Sequence, residues 1–113
     1  MKQSSYLRFL NYFDALVNSA HIKNLDSIES ALLNEVMQKT SLGHEVLVGD
    51  LLSLSSIGSQ ATLHGRIRGL VTSGHLKHLT DPIDSRRKRL IPTKLTLNRY
   101  EKLSKILARA VST

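Results

Sequence analysis

The stretch S-I-G-S-Q-A-T-L-H-G-R-I-R-G-L-V-T-S-G-H-L-K-H-L-T-D-P-I-D-S-R-R-K-R-L-I-P-T, from Ser56 to Thr93, leaves the chain few ways to fold. Ser59 carries the short side-chain oxygen of a helix N-cap. Leu63, Ile67 and Leu70 follow at intervals of four and three, with Val71 at the edge, which is the spacing of one buried helical stripe. Gly74 stops that helix. His75 to Thr80 then reads as a strand with Leu76 inward, Asp81-Pro82 opens a turn, and after the basic run Arg86-Arg87-Lys88-Arg89 a second apolar segment leads to Thr93. The loop D-P-I-D-S-R-R-K is too long for a two-residue hairpin turn, so it projects. Asp84 can hold it, by accepting local backbone hydrogen bonds or by pairing with Arg86.

The flanking segments supply helices. Tyr6, Phe9, Leu10, Phe13, Leu16, Val17 and Ala20 lie three or four apart, behind Ser4 or Ser5 as a cap. This segment holds both phenylalanines and two of the three tyrosines, so it must bury against its own core or against a second subunit. Asn24 to Asp26 is a break, with Asp26 and Glu29 spaced as a capping box. The second helix turns Ile28, Leu32, Val36 and Met37 inward and ends near Leu42, where Gly43 suits a left-handed position. Val46 to Val48 is extended or a one-bridge strand, and Asp50 opens a third helix so short that only packing of its leucines can keep it. A last helix runs from Lys94 to about Val111, with Leu95, Leu103, Ile106, Leu107 and Ala110 on one stripe and Arg99, Lys102, Lys105 and Arg109 at its edges. The fold class is therefore mainly α with a small β-hairpin: a winged helix-turn-helix with N- and C-terminal helices. One domain of residues 1–113 is expected, comprising an N-terminal helix (1–24), the winged core (25–93) and a C-terminal, pairing helix (94–113).

Composition narrows the partners. The net charge is +7, yet residues 1–58 hold four Lys/Arg against six Asp/Glu, and residues 59–113 hold twelve against three. The positive excess thus coincides with the helix, the hairpin and the last helix, as on a surface that faces phosphate, although such charge also serves solubility alone. There is no cysteine, which excludes disulfides and thiolate metal sites. No apolar run approaches the ~20 residues of a bilayer span, and Arg8 and Asp14 interrupt the N-terminal apolar segment where a leader needs continuity. A cytoplasmic location is the expectation. No nucleotide-binding glycine loop, nucleophile motif or metalloprotease helix is present, so no enzyme, cofactor or metal is expected. His64, His75 and His78 are the one histidine group worth weighing, but residues 75 and 78 point to opposite faces of a strand.

The expected partner is double-stranded DNA. On this helix, Ser59 at its start and, on the side away from the leucines, Gln60, Thr62, His64, Arg66 and Arg68 are the candidate DNA contacts, since their groups suit base edges and phosphates; an ordinary solvated face has the same look. Arg87 and Lys88 extend this set into the wing beside Asp84 and Arg86. Gly65 and Gly69 each cost the helix about 1 kcal/mol relative to alanine. Close approach of a DNA backbone or of a neighbouring helix would offset that cost, and simple tolerance is the other explanation.

Leu63, Ile67 and Leu70, then Gly74 and Leu76, then Asp84-Ser85-Arg86, Leu90 and Thr93 together resemble the multiple-antibiotic-resistance regulator (MarR) family of winged-helix transcription factors, well over Gly43 to Thr93 and more loosely at the ends. The resemblance implies a sequence-specific regulator, a repressor, with Asp84 and Arg86 as the wing pair, Arg86 in the groove and Thr93 capping the last helix. It also implies pairing of terminal helices from two subunits through Phe9, Phe13, Leu103, Ile106, Leu107 and Ala110; packing within the chain or against an anionic membrane are the alternatives. Two departures stand out: Gly65 replaces a commonly polar or basic residue, and Thr96 a common glycine. No effector is carried over. The other function class is a winged-helix module that binds protein, or an accessory factor in replication or partition.

Overall fold

A computed structural model describes residues 3–112; the first two residues and Thr113, which the expected domain includes, lie outside the described residues. The elements are α1 (Ser5–Asn18), α2 (Ser27–Ser41), α3 (Val48–Leu52), α4 (Gln60–Thr72), β1 (Leu76–Thr80), β2 (Lys88–Pro92) and α5 (Lys94–Val111). The chain divides into two compact units, one reaching to Asn24 and resuming at Leu97, the other Leu25–Thr96.

The second unit is a winged helix-turn-helix. Its first helix starts at a complete capping box: Glu29 N donates to Asp26 Oδ1 at 2.7 Å and Asp26 N to Glu29 Oε1 at 3.0 Å. α2 packs on both α4 and β2. Its buried face is therefore wide, taking Leu32, Leu33 and Val36, while Ile28 and Met37, expected inward, are only half-buried. Gly43 stands at φ +79°, a left-handed turn that glycine adopts without a Cβ clash. α3 begins at Val48, two residues before the expected start, because the Asp50 carboxylate reaches back to Leu47 N at 3.0 Å instead of capping at its own position. Leu51 is fully buried, and Leu47 forms a single bridge with Arg89 that ties this short helix to the hairpin.

Ser59 caps α4 by accepting from Thr62 N at 3.2 Å, and Leu63, Ile67 and Leu70 are buried as spaced. Gly74, at φ +83°, turns the chain into an antiparallel hairpin whose register sets Leu76 opposite Pro92 and His78 opposite Leu90. Leu76 and Leu90 share the inward face and close the core formed by Leu32, Leu33, Val36, Val46, Leu51, Leu63 and Leu70. Thr93 Oγ1 accepts from Thr96 N at 3.4 Å, opening α5. Thr96 is itself fully buried, and its hydroxyl donates to His75 O at 2.6 Å, satisfying a carbonyl at the strand entry.

In the first unit, Ser4 caps α1 through Leu7 N at 3.2 Å. The helix ends at Asn18, and Ala20 has φ +59°, so Ala20 leaves the expected stripe for a turn in which His21 N donates to Leu16 O at 2.9 Å. α1 and residues 97–111 of α5 are joined by Arg8 Nε donating to Ala110 O at 2.9 Å and by the Arg109 guanidinium, 4.3 Å above the Tyr12 ring. Arg99 donates to Lys23 O, and Lys102 Nζ to His21 O at 2.9 Å. Much of the basic edge of α5 thus serves the chain's own backbone. No described helix is long and apolar enough to cross a membrane.

Candidate nucleic-acid interface

With Leu63, Ile67 and Leu70 inward, a turn of 100° per residue places Ala61, Gly65, Arg68 and Thr72 along the outermost line of α4, and all four are exposed, as are Gln60 and His64 beside them. Not every residue expected on this face is open. Thr62 is half-buried, and its hydroxyl oxygen accepts from Ser59 Oγ at 3.0 Å, so both residues build the helix start. Arg66 is drawn to the edge, where its Nε donates to Asp26 Oδ2 at 2.7 Å. Asp26 therefore caps α2 and holds α4 at once. The Glu29 N–H, and after it the Arg66 guanidinium, keep its carboxyl below the usual range. Ala61 and Thr72 escaped the sequence reading, and Gly65 entered it only as a costly helix glycine; the helical wheel alone would have placed all three on this line.

A Cβ on Gly65 would meet nothing within 4 Å, and one on Gly69 only the Glu29 carboxylate at 3.6 Å. Neither glycine is needed for a neighbouring helix to approach. Gly65→Ala is accordingly expected to stabilise the protein by up to about 1 kcal/mol, seen as a later urea midpoint. Duplex affinity should fall if bound DNA presses on this line. Unchanged affinity would mean that the glycine is merely tolerated.

The wing is braced from within. Asp81 Oδ1 accepts from Ile83 N at 2.8 Å and Asp84 N at 3.2 Å, and these N–H groups, with Arg87 beyond them, lower the Asp81 carboxyl from its ordinary range. Asp84 Oδ1 accepts from Arg86 N at 3.1 Å and Arg86 Nε at 3.2 Å, so both holds expected of Asp84 are present. The Arg86 side chain is 91 % exposed, and Ile83 at the tip 96 %. Arg87, expected on DNA with Lys88, is turned back: with Arg89 it clasps the Glu45 carboxylate, and its second amino group lies 3.5 Å from Asp81. Lys88 is exposed and has no such partner among the described residues.

In the other unit, Ser5, Tyr6, Phe9, Leu107 and Val111 line an apolar cleft of about 320 Å³, and Tyr6, Leu107 and Val111 are more than half exposed. Phe13, Leu103 and Ile106 are half-buried. Ala110, expected at a subunit contact, is fully buried in its own unit beneath the α1 segment whose Arg8 binds its carbonyl, so it has no surface to offer a partner. Among the described residues no three of His, Asp and Glu are grouped as metal ligands.

No protein-family profile matches the sequence, and no curated protein does. Solved structures do match. Heme-free PefR shares 15 % identity over 93 % of this chain and 88 % of its own, with a TM-score of 0.63. A probable transcriptional regulator from Pseudomonas aeruginosa shares 19 % over 96 % of this chain and 77 % of its own, at 0.60. MarR shares 19 % over 90 % and 72 %, also at 0.60. The helix-turn-helix, the braced wing and the flanking helices thus form a winged helix-turn-helix fold of the MarR type.

Proposed function

We propose that the protein is a sequence-specific double-stranded DNA-binding transcriptional regulator, a repressor, acting as a homodimer. The observation that carries this reading is the pairing of α4, with Gln60, His64 and Arg68 exposed along it, with a projecting wing that holds Arg86 out at its tip. Gln60 carries the donor and acceptor that match an adenine edge in the major groove, and the Arg68 donor fork can take guanine or phosphate. Arg86, oriented by Asp84, is shaped for the narrower groove or its phosphates. The MarR-type fold supports the same use of the helix and wing. The apolar cleft between α1 and α5 supports pairing, because two-fold assembly is the commonest way to cover such a patch.

The deciding experiment is duplex binding across salt, with sequences selected from random DNA. About five phosphate contacts give a log-log slope of roughly -4 to -5. The selected sites should be inverted repeats with half-sites about ten base pairs apart, or a multiple of that. A flat titration, or no enrichment over random duplex, would show that α4 does not read DNA. A reporter placed behind a selected site should then fall in output when the protein is supplied; a rise would make it an activator.

A further inference from the structure

Charge in the winged unit is distributed unevenly. Arg66 is paired with Asp26, and Arg87 and Arg89 with Glu45, while Arg86, oriented by Asp84, stays out in solvent. Arg68 from α4 and Lys88 from β2 have no carboxylate partner among the described residues, and they line the same cleft. It is about 280 Å³, with His64, His78 and Thr72 also at its wall, Val48, Ile67 and Val71 as its apolar part, and no Asp or Glu lining it. The hairpin register explains His78: it lies opposite Leu90 and shares the inward face with Leu76, at the point where that face leaves the core. Two fixed cations, two imidazoles and a hydroxyl around an apolar floor make a donor-rich pocket without a competing anion. An oxyanion suits such a pocket, because its several lone pairs can accept from two cations converging from different elements at once.

We propose that this cleft seats one backbone phosphate of the bound duplex, gripped jointly by Arg68 and Lys88 with His64 and His78 beside them. The inference rests on the DNA-binding reading above. If a helix lies in one groove and the adjacent hairpin reaches into the next, the strand of phosphates dividing those grooves must pass between them. The cleft is the gap between α4 and the hairpin.

The test uses the intact protein and Arg68→Gln, Lys88→Gln and the double variant, titrated with duplex across potassium chloride. Both side chains are on the surface, so equal thermal unfolding checks that folding is intact. Because they share one phosphate, each single variant and the double should all lower the salt slope by about one. The double should bind little worse than the weaker single. An unchanged slope, or a loss of about two in the double, would overturn the shared seat while leaving DNA binding in place. A second arm titrates inorganic phosphate and follows the His64 and His78 ring resonances. Saturable shifts in the wild type that vanish in the double variant support the pocket; their absence overturns it. If the wild type binds no duplex yet shows these shifts, the DNA reading fails and the cleft belongs to a soluble anion instead.

Discussion

Leu107→Glu is expected to turn a dimer into monomers and to weaken duplex binding by about a hundredfold or more. Leu107 is 53 % exposed and lines the apolar cleft with Tyr6, Phe9 and Val111, so a carboxylate there costs the folded chain little while it remains wetted. Covered by a second copy, the same carboxylate is stripped of water with no cation among those lining residues to pair it, and the contact fails. The effect on DNA is larger than any lost contact because a dimer binds its second half-site intramolecularly, at an effective concentration that a monomer lacks. Half-buried Leu103 and Ile106 are poorer probes, since charge there also disturbs packing within the unit. Sedimentation decides the matter: a wild-type protein that stays monomeric at tens of micromolar, with and without DNA, removes the dimer.

The second large effect concerns stability. Leu70→Ala should cost about 2–5 kcal/mol, a large fraction of the total for a unit of this size. Leu70 is 0 % exposed on the inner face of α4, and its carbonyl accepts from His75 N at 2.8 Å, where the chain leaves the helix for the hairpin. A cavity there loosens both elements of the proposed DNA interface, α4 and the hairpin. Urea unfolding should show the midpoint falling sharply with little change in slope. A cost below about 1 kcal/mol, outside the range for a buried leucine, would mean that α4 is not seated on this core.

What the sequence revealed was local. The Asp26–Glu29 box, the Ser59 cap, the turns at Gly43 and Gly74 and the hold of Asp84 on Arg86 all join residues within a few positions, where spacing alone specifies geometry. The buried stripe of α4 was legible for the same reason. What escaped was non-local. Asp26 and Arg66 are 40 residues apart, and Glu45 lies 42 and 44 residues from the arginines it clasps. A run such as Arg86-Arg87-Lys88-Arg89 looks uniformly basic until the fold turns alternate members, Arg87 and Arg89, onto Glu45 and leaves Arg86 and Lys88 exposed. Ala110 was misread for a related reason: a small residue on an apolar stripe fits a tight intramolecular contact as well as an interface, and only the partner element decides between them.

The fork at Glu45 has a consequence for how such a protein moves among wrong sequences. One carboxylate occupies two guanidiniums that would otherwise cling to any polyanion, and Asp26 does the same for a third. An arginine already neutralised releases fewer counterions when it meets a nucleic acid, and counterion release is the chief source of indiscriminate grip. The protein carries its own decoys for phosphate. On the proposed DNA-binding reading, residence on unrelated DNA is expected to be brief and long occupancy to be reserved for a sequence that α4 recognises.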